Sequence, residues 1–135
     1  MVNQIFVNLP VKDLKRSVAF FTKLGFSFNP QFTDENATCM IIGENMYAML
    51  LVEKFFKTFT PKEIANARVN TESIVSLALG DRDEVDSLVN CALDAGAKLA
   101  NPPMEMDGMY GLSFFDLDDH LWEVFYMDLS KIQPV

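Results

Sequence analysis

Among its 135 residues the chain has one histidine, His120, two cysteines and one tryptophan. Cys39 and Cys91 lie far apart, form no Cys-x-x-Cys pair and sit among apolar neighbours. They read as small buried hydrophobes rather than as a disulfide, a redox pair or half of a zinc site. No phosphate-binding glycine loop, nucleophile elbow, nucleotide fingerprint or zinc motif is present. Basic residues are scarce as well: eleven Lys and Arg face nineteen Asp and Glu, a net charge of -8 spread along the chain. Nucleic acid and anionic membranes are therefore not expected as partners, since both require a basic surface. Nowhere do roughly eighteen apolar residues run together, and the opening Met-Val-Asn-Gln has no basic region ahead of a long apolar stretch, so a cytoplasmic protein is expected.

What is present is a core-forming composition, 50% hydrophobic with twelve phenylalanines and eight methionines. A chain of this length buries about two-thirds of its unfolded surface, enough to fold without disulfides or metal. The segment Gln4 to Val11 is rich in β-formers and reads as a strand that Pro10 brings to an edge or exit. Asp13 can cap a following helix in which Leu14, Val18, Phe21 and Leu24 recur at helical spacing, and Gly25 supplies the stop. Strands are predicted around Phe26 to Phe32, Ala37 to Ile42 and Met46 to Val52, separated by the turn signals Asp34-Glu35-Asn36 and Gly43-Glu44-Asn45.

The same order then recurs: a strand over Ile74 to Leu79, a helix over Asp83 to Ala95 ending at Gly96, and strands over Lys98 to Asn101, Gly111 to Phe115 and Leu121 to Tyr126. Asp13 to Gly25 and Glu84 to Gly96 span the same distance. The pattern predicts one α+β domain over 1–135, built of two tandem βαβββ modules that form a curved mixed sheet around a cavity. Module 1 covers about 1–53 and module 2 about 72–128. Between them, about 54–71, lies a phenylalanine-rich segment with a short helix expected to start at Thr60-Pro61. It serves either as a lid or as packing against the sheet edge.

The run Val7-Asn8-Leu9-Pro10-Val11-Lys12-Asp13-Leu14-Lys15-Arg16-Ser17-Val18-Ala19-Phe20-Phe21-Thr22-Lys23-Leu24-Gly25-Phe26 resembles the opening of vicinal-oxygen-chelate proteins, the glyoxalase, bleomycin-resistance and dioxygenase superfamily. Near the end, Phe115-Asp116-Leu117-Asp118-Asp119-His120-Leu121-Trp122-Glu123-Val124 resembles that family's closing hairpin, with Asp119 where the family has Gly. The resemblance implies a divalent metal held by His or Glu side chains from strands of both modules, chelated by substrate oxygens.

Carried over position by position, that ligand set is mostly missing. The first ligand position falls at Phe6, with the amide of Asn8 two residues along on the same face. The second falls at or next to Ile74, in Ser73-Ile74-Val75-Ser76. The fourth strand reads Tyr47-Ala48-Met49-Leu50-Leu51-Val52, without a carboxylate until Glu53. Glu123 alone keeps the family's final position, and strand alternation turns His120 to the opposite face. One strong ligand is too few for a stable divalent site, so no cofactor is expected unless a divalent metal gains other ligands.

Glu123, flanked by Trp122, Val124 and Phe125, is either a general base or polar anchor, its protonated form favoured by burial if it points into a closed cavity, or a solvated or hydrogen-bonded Glu without such a role. Alternation adds Ser113 and Phe115 to its face. Tyr47 and Tyr110 are rim candidates, and Met49 with the other methionines fills either core or pocket. The leading expectation is a protein that binds a small apolar or amphipathic molecule, with Phe6, Asn8, Met49, Ile74, Ser76, Ser113 and Phe115 as ligand contacts and Glu123 as the catalytic or metal-binding candidate. Two alternatives stay open: a metal-dependent lyase, isomerase or dioxygenase with a relocated ligand set, and a structural or interaction module. The resemblance also implies a homodimer.

Overall fold

The computed structural model describes residues 1–131, which divide into two compact units, the first Met1–Asn66 and the second from Ala67 onward. Each unit carries a mixed sheet with a helix on one face, so the α+β class and the two-module order predicted from the sequence are observed.

In the first unit the strands are β1 (Ile5–Val11), β2 (Ser27–Asn29), β3 (Ala37–Gly43) and β4 (Met46–Val52), in the order β1-β4-β3-β2. β1 runs parallel to β4, and the other pairs are antiparallel. Helix α1 (Leu14–Lys23) starts at Asp13, whose Oδ1 accepts the Arg16 backbone N–H at 3.1 Å. It stops where Gly25 takes a φ of 101°, a left-handed backbone that glycine adopts without strain. Phe20 and Phe21 of α1 are buried, as are Leu9, Val11, Ala48, Leu50 and Met40, whose positions share one face of the sheet. The strand predicted over Phe26 to Phe32 is shorter, because Pro30 opens a 3-10 turn over Pro30–Phe32.

The segment after β4 departs from expectation. Its helical turn lies ahead of Thr60-Pro61, as α2 (Glu53–Phe56) continued by a 3-10 turn over Lys57–Phe59. Thr60 is extended, and its Oγ1 accepts the Lys62 backbone N–H at 3.1 Å. Lys57 Nζ donates to the carbonyls of Pro61 and Lys62, which closes the end of this helical stretch instead of opening a new one.

The second unit has β5 (Ile74–Ala78), β6 (Lys98–Leu99), β7 (Met104–Met106), β8 (Met109–Phe115) and β9 (Leu121–Met127). Their order is β5-β9-β8-β6, with β7 also paired to β8 and β5 parallel to β9. The extra strand β7 arises because Asp107-Gly108, with Gly108 at φ 82°, makes a tight hairpin that brings Met104 opposite Gly111. Helix α3 (Arg82–Asp94) begins earlier than predicted, since Asp81 is the cap, its Oδ1 accepting from the Glu84 N–H at 2.8 Å. The capped helices of the two units are therefore unequal, 10 and 13 residues. Val85, Val89 and Ala92 of α3 are buried together with Phe114, Trp122 and Val124, leaving the opposite face of the sheet to residues of the other alternation. Among the described residues no helix is long and apolar enough to cross a membrane.

Candidate functional site

Cross-strand register on the face away from α3 sets three polar residues in one row. Ser76 on β5 lies opposite Glu123 on β9, and Glu123 lies opposite Ser113 on β8. Residues directly opposite in register project to the same side of a sheet, so the row is a consequence of strand pairing. Ser76 Oγ donates to Glu123 Oε1 at 2.7 Å. Ser113 is buried, and its Oγ accepts the Asn101 backbone N–H at 3.0 Å, which ties the segment after β6 to the sheet.

This row forms part of the wall of an open cleft of about 550 Å³. Its apolar lining comes chiefly from Pro102, Met104, Met109, Gly111 and Phe125. Ala78, Phe125, Gly111 and Met104 make the next cross-strand row, so an apolar strip runs beside the polar one. Glu123 is the one charged side chain among the described residues of the lining. It is exposed, so the condition of a closed cavity is not met: β9 turns Trp122 and Val124 under α3 and leaves Glu123 on the uncovered face. Alternation from Glu123 and Ser113 also reaches Phe125, Gly111 and Met109. Asn101 and Pro102 enter through the loop after β6 and have no comparable sequence signal.

Ile74 and Phe115 do not line this cleft. Ile74 is 53% exposed on the edge strand β5. Phe115 shares the face of Ser113 but lies a row further on, against a separate depression formed with Arg68, Val69, Asn70 and Asp119. Tyr110 belongs to the helix-side face: its hydroxyl donates to Asp86, and Arg82 lies 3.9 Å from its ring centroid while bonding Glu105 at 2.5 Å. The hydrogen bond to Asp86, with burial second, holds the Tyr110 hydroxyl above its usual pKa.

In the first unit, Phe6, Asn8 and Met49 occupy one sheet face, Asn8 directly opposite Met49. Phe6 is 44% exposed and stacks on Tyr47, ring centroids 4.9 Å apart. Asn8 lines a depression of about 350 Å³ with Leu51, Phe56, Phe59 and Thr60. Cys39, opposite Met49, is buried, and burial raises its thiol pKa.

His120 has a structural partner that the sequence did not reveal. It is buried, and its Nδ1 lies 2.6 Å from Glu72 Oε1. Nearby, Asp116 Oδ1 accepts the backbone N–H groups of Asp118 and His120, and Oδ2 accepts the Trp122 indole N–H at 2.8 Å. Burial raises the Asp116 pKa, opposed by His120 and by these donors. Asp119 takes φ 64° in the turn they organise, the left-handed geometry expected where the family has Gly. Among the described residues no group of three His, Cys, Asp or Glu side chains is arranged so that it could hold a metal ion.

The family described as "Bleomycin resistance protein-like N-terminal" matches residues 4–43. The structure of hypothetical protein SA1046 from S. aureus is 31% identical, with a TM-score of 0.79 over 93% of this chain and 95% of that one. The chain has the fold of the vicinal-oxygen-chelate superfamily. Its fold is shared by a glyoxalase/bleomycin resistance protein/dioxygenase family enzyme from Burkholderia phytofirmans PsJN, at 17% identity and TM-score 0.75 over 91% and 97% of the two chains. It is shared too by the fosfomycin resistance protein FosX from Listeria monocytogenes, at 16% identity and TM-score 0.69 over 97% and 98%. No curated protein matches the sequence. Within this superfamily fold, Glu123 sits on the face of the second-module sheet opposite its helix, with Ser76 and Ser113 as its neighbours in register.

Proposed function

We propose that this protein of vicinal-oxygen-chelate fold binds a small amphipathic molecule in the cleft of its second unit, with Glu123 as the polar anchor and no resident metal. The supporting observation is the Ser76-Glu123-Ser113 row running beside an apolar strip in a cleft of about 550 Å³. A few placed polar groups in a mainly apolar recess of that size are the usual make-up of a small-molecule site.

The donor set does not fit the family's divalent metal. Phe6 and Ile74, at the first and second ligand positions, have no donor atom, and Met49 offers only a thioether. Glu123 has serine hydroxyls for neighbours, which are weak ligands without further carboxylate or imidazole. Binding without chemistry is accordingly favoured over a relocated metal enzyme.

Two measurements on the purified protein test the reading: metal content by elemental analysis after exposure to divalent ions, and titration with the neutral apolar dye Nile red. We expect substoichiometric metal and saturable dye binding that weakens in Met104→Trp, where an indole at an exposed rim position narrows the mouth. Stoichiometric metal that disappears in Glu123→Gln would overturn the proposal and favour the enzyme.

A further inference from the structure

We infer that the cleft selects an organic cation, a primary or secondary ammonium group on an aryl or alkyl tail. The inference rests on the binding function proposed above and names the class of ligand.

The charge pattern comes first. Glu123 is the one charged side chain among the described lining residues, and no Lys, Arg or His shares the wall with it. A carboxylate or phosphate ligand would meet like charge there without a partner. An ammonium group would meet a carboxylate beside low-dielectric walls, where charge-assisted hydrogen bonds are stronger than neutral ones. The chain's net charge of -8 enriches cations around the protein as a whole.

The hydrogen-bond inventory agrees. Ser76 spends its hydroxyl proton on Glu123 Oε1, so its oxygen is left as an acceptor. Glu123 Oε2 has no partner among the described residues and is an acceptor too. Ser113 Oγ accepts from Asn101 and keeps its own proton to donate, so the surplus acceptors of the row are those of Glu123 and Ser76. The row thus presents neighbouring acceptors on Glu123 and Ser76, matching the donors of an ammonium group, which has no lone pair to offer. A ligand hydroxyl has one proton and would satisfy one of them.

The apolar strip accounts for the tail. Phe125 lies two residues beyond Glu123 on the same strand face and supplies an aromatic wall that an organic cation tolerates well. Met104 and Met109 are unbranched thioethers that adapt to irregular shapes. Gly111 keeps the floor open: a Cβ there would stand 3.4 Å from both Met104 Cε and Phe125 Cβ, in ordinary contact, filling space without a clash. Gly111→Ala is therefore a shape probe that removes tail volume and leaves the anchor in place.

The test is displacement of Nile red from the wild-type protein by phenethylamine, phenethyl alcohol and phenylacetate, which vary the head group on one tail. We expect the amine to displace the dye at about tenfold lower concentration than the alcohol, with phenylacetate weaker than both. Glu123→Gln should bring amine and alcohol within about twofold of each other, and added salt should weaken the amine alone. Ser76→Ala, at an exposed position, should narrow the gap about threefold and serves as the second variant if Glu123→Gln folds poorly. Absence of dye binding to the wild type would overturn the binding function itself. Dye binding with equal amine and alcohol affinity, or a gap that survives both substitutions, would overturn the cation assignment alone.

Discussion

Ser76 and Glu123 stand opposite each other on the parallel strands β5 and β9, joined by a 2.7 Å hydrogen bond from the serine hydroxyl to the carboxylate. They are 47 positions apart in sequence, and both are exposed. The bond fixes one oxygen of a carboxylate that lines the cleft and leaves the other without a partner among the described residues, which is how a binding group is positioned in advance of its ligand.

Because the pair is exposed, its contribution to folding is expected to be small. A double-mutant cycle with Ser76→Ala and Glu123→Gln, read by denaturant unfolding, should give a coupling of about 0.5–1 kcal/mol. A coupling of several kcal/mol would mean that the row is a structural element and not a poised site.

Asp116 gives a pH signature with a definite sign. Its folded pKa is raised by burial above the ordinary 3.8, so the folded state holds a proton over a window in which the unfolded chain has released it. The associated stability is fully present below that ordinary value and is lost as pH rises through the folded value. Asp116→Asn removes this titration while keeping an acceptor for the Asp118 and His120 backbone N–H groups. The stability difference between wild type and Asp116→Asn should therefore shrink as pH is raised from about 4 towards 7. A difference that grows with pH would show that the donors and His120 outweigh burial.

Trp122 is fully buried and bonded through its indole to Asp116. Trp122→Ala combines a large cavity with an orphaned carboxylate oxygen and should cost about 3–5 kcal/mol. Trp122→Phe keeps most of the volume and loses the hydrogen bond, for about 1–3 kcal/mol. Chemical denaturation of the two variants separates packing from hydrogen bonding. Equal losses would mean that the indole N–H carries most of the effect.

The Asp13 cap of the first helix, the glycine stops of both helices and the side of β9 on which Glu123 lies follow from spacing, because caps, left-handed stops and strand alternation are local rules, whereas the second helix starts earlier, at the Asp81 cap. Other features do not follow from spacing. Asp107-Gly108 had the turn chemistry for the β7–β8 hairpin, but Met104–Met106 is a three-residue strand with all positions exposed and so has no alternation to betray it. The helical turn before Thr60 was misplaced because Pro61 suits a helix start, whereas Lys57 here binds the carbonyls that follow it. In the candidate site, alternation brings Ser113 to Glu123, but alternation alone does not tell that Ile74 stands on an edge strand or that Phe115 lies a row beyond the cleft. A single sequence has no rule that pairs Glu72 with His120, 48 positions away.

That last pair is where the second unit's leading segment is fastened. Glu72 precedes β5, His120 precedes β9, and their 2.6 Å contact joins the entries of two parallel strands. Glu72 is partly exposed and can be rehydrated when its partner is lost, whereas His120 is buried. Removing the two sides should therefore be unequal. Glu72→Gln retains an acceptor and should cost about 1 kcal/mol or less, while His120→Ala leaves a cavity beside Asp116 and should cost about 2–3 kcal/mol. Amide hydrogen exchange in Ile74–Ala78 is the sharper readout, since loss of this fastening should raise exchange there before it does so in α3. Uniform acceleration across the unit would show that the contact contributes only to global stability.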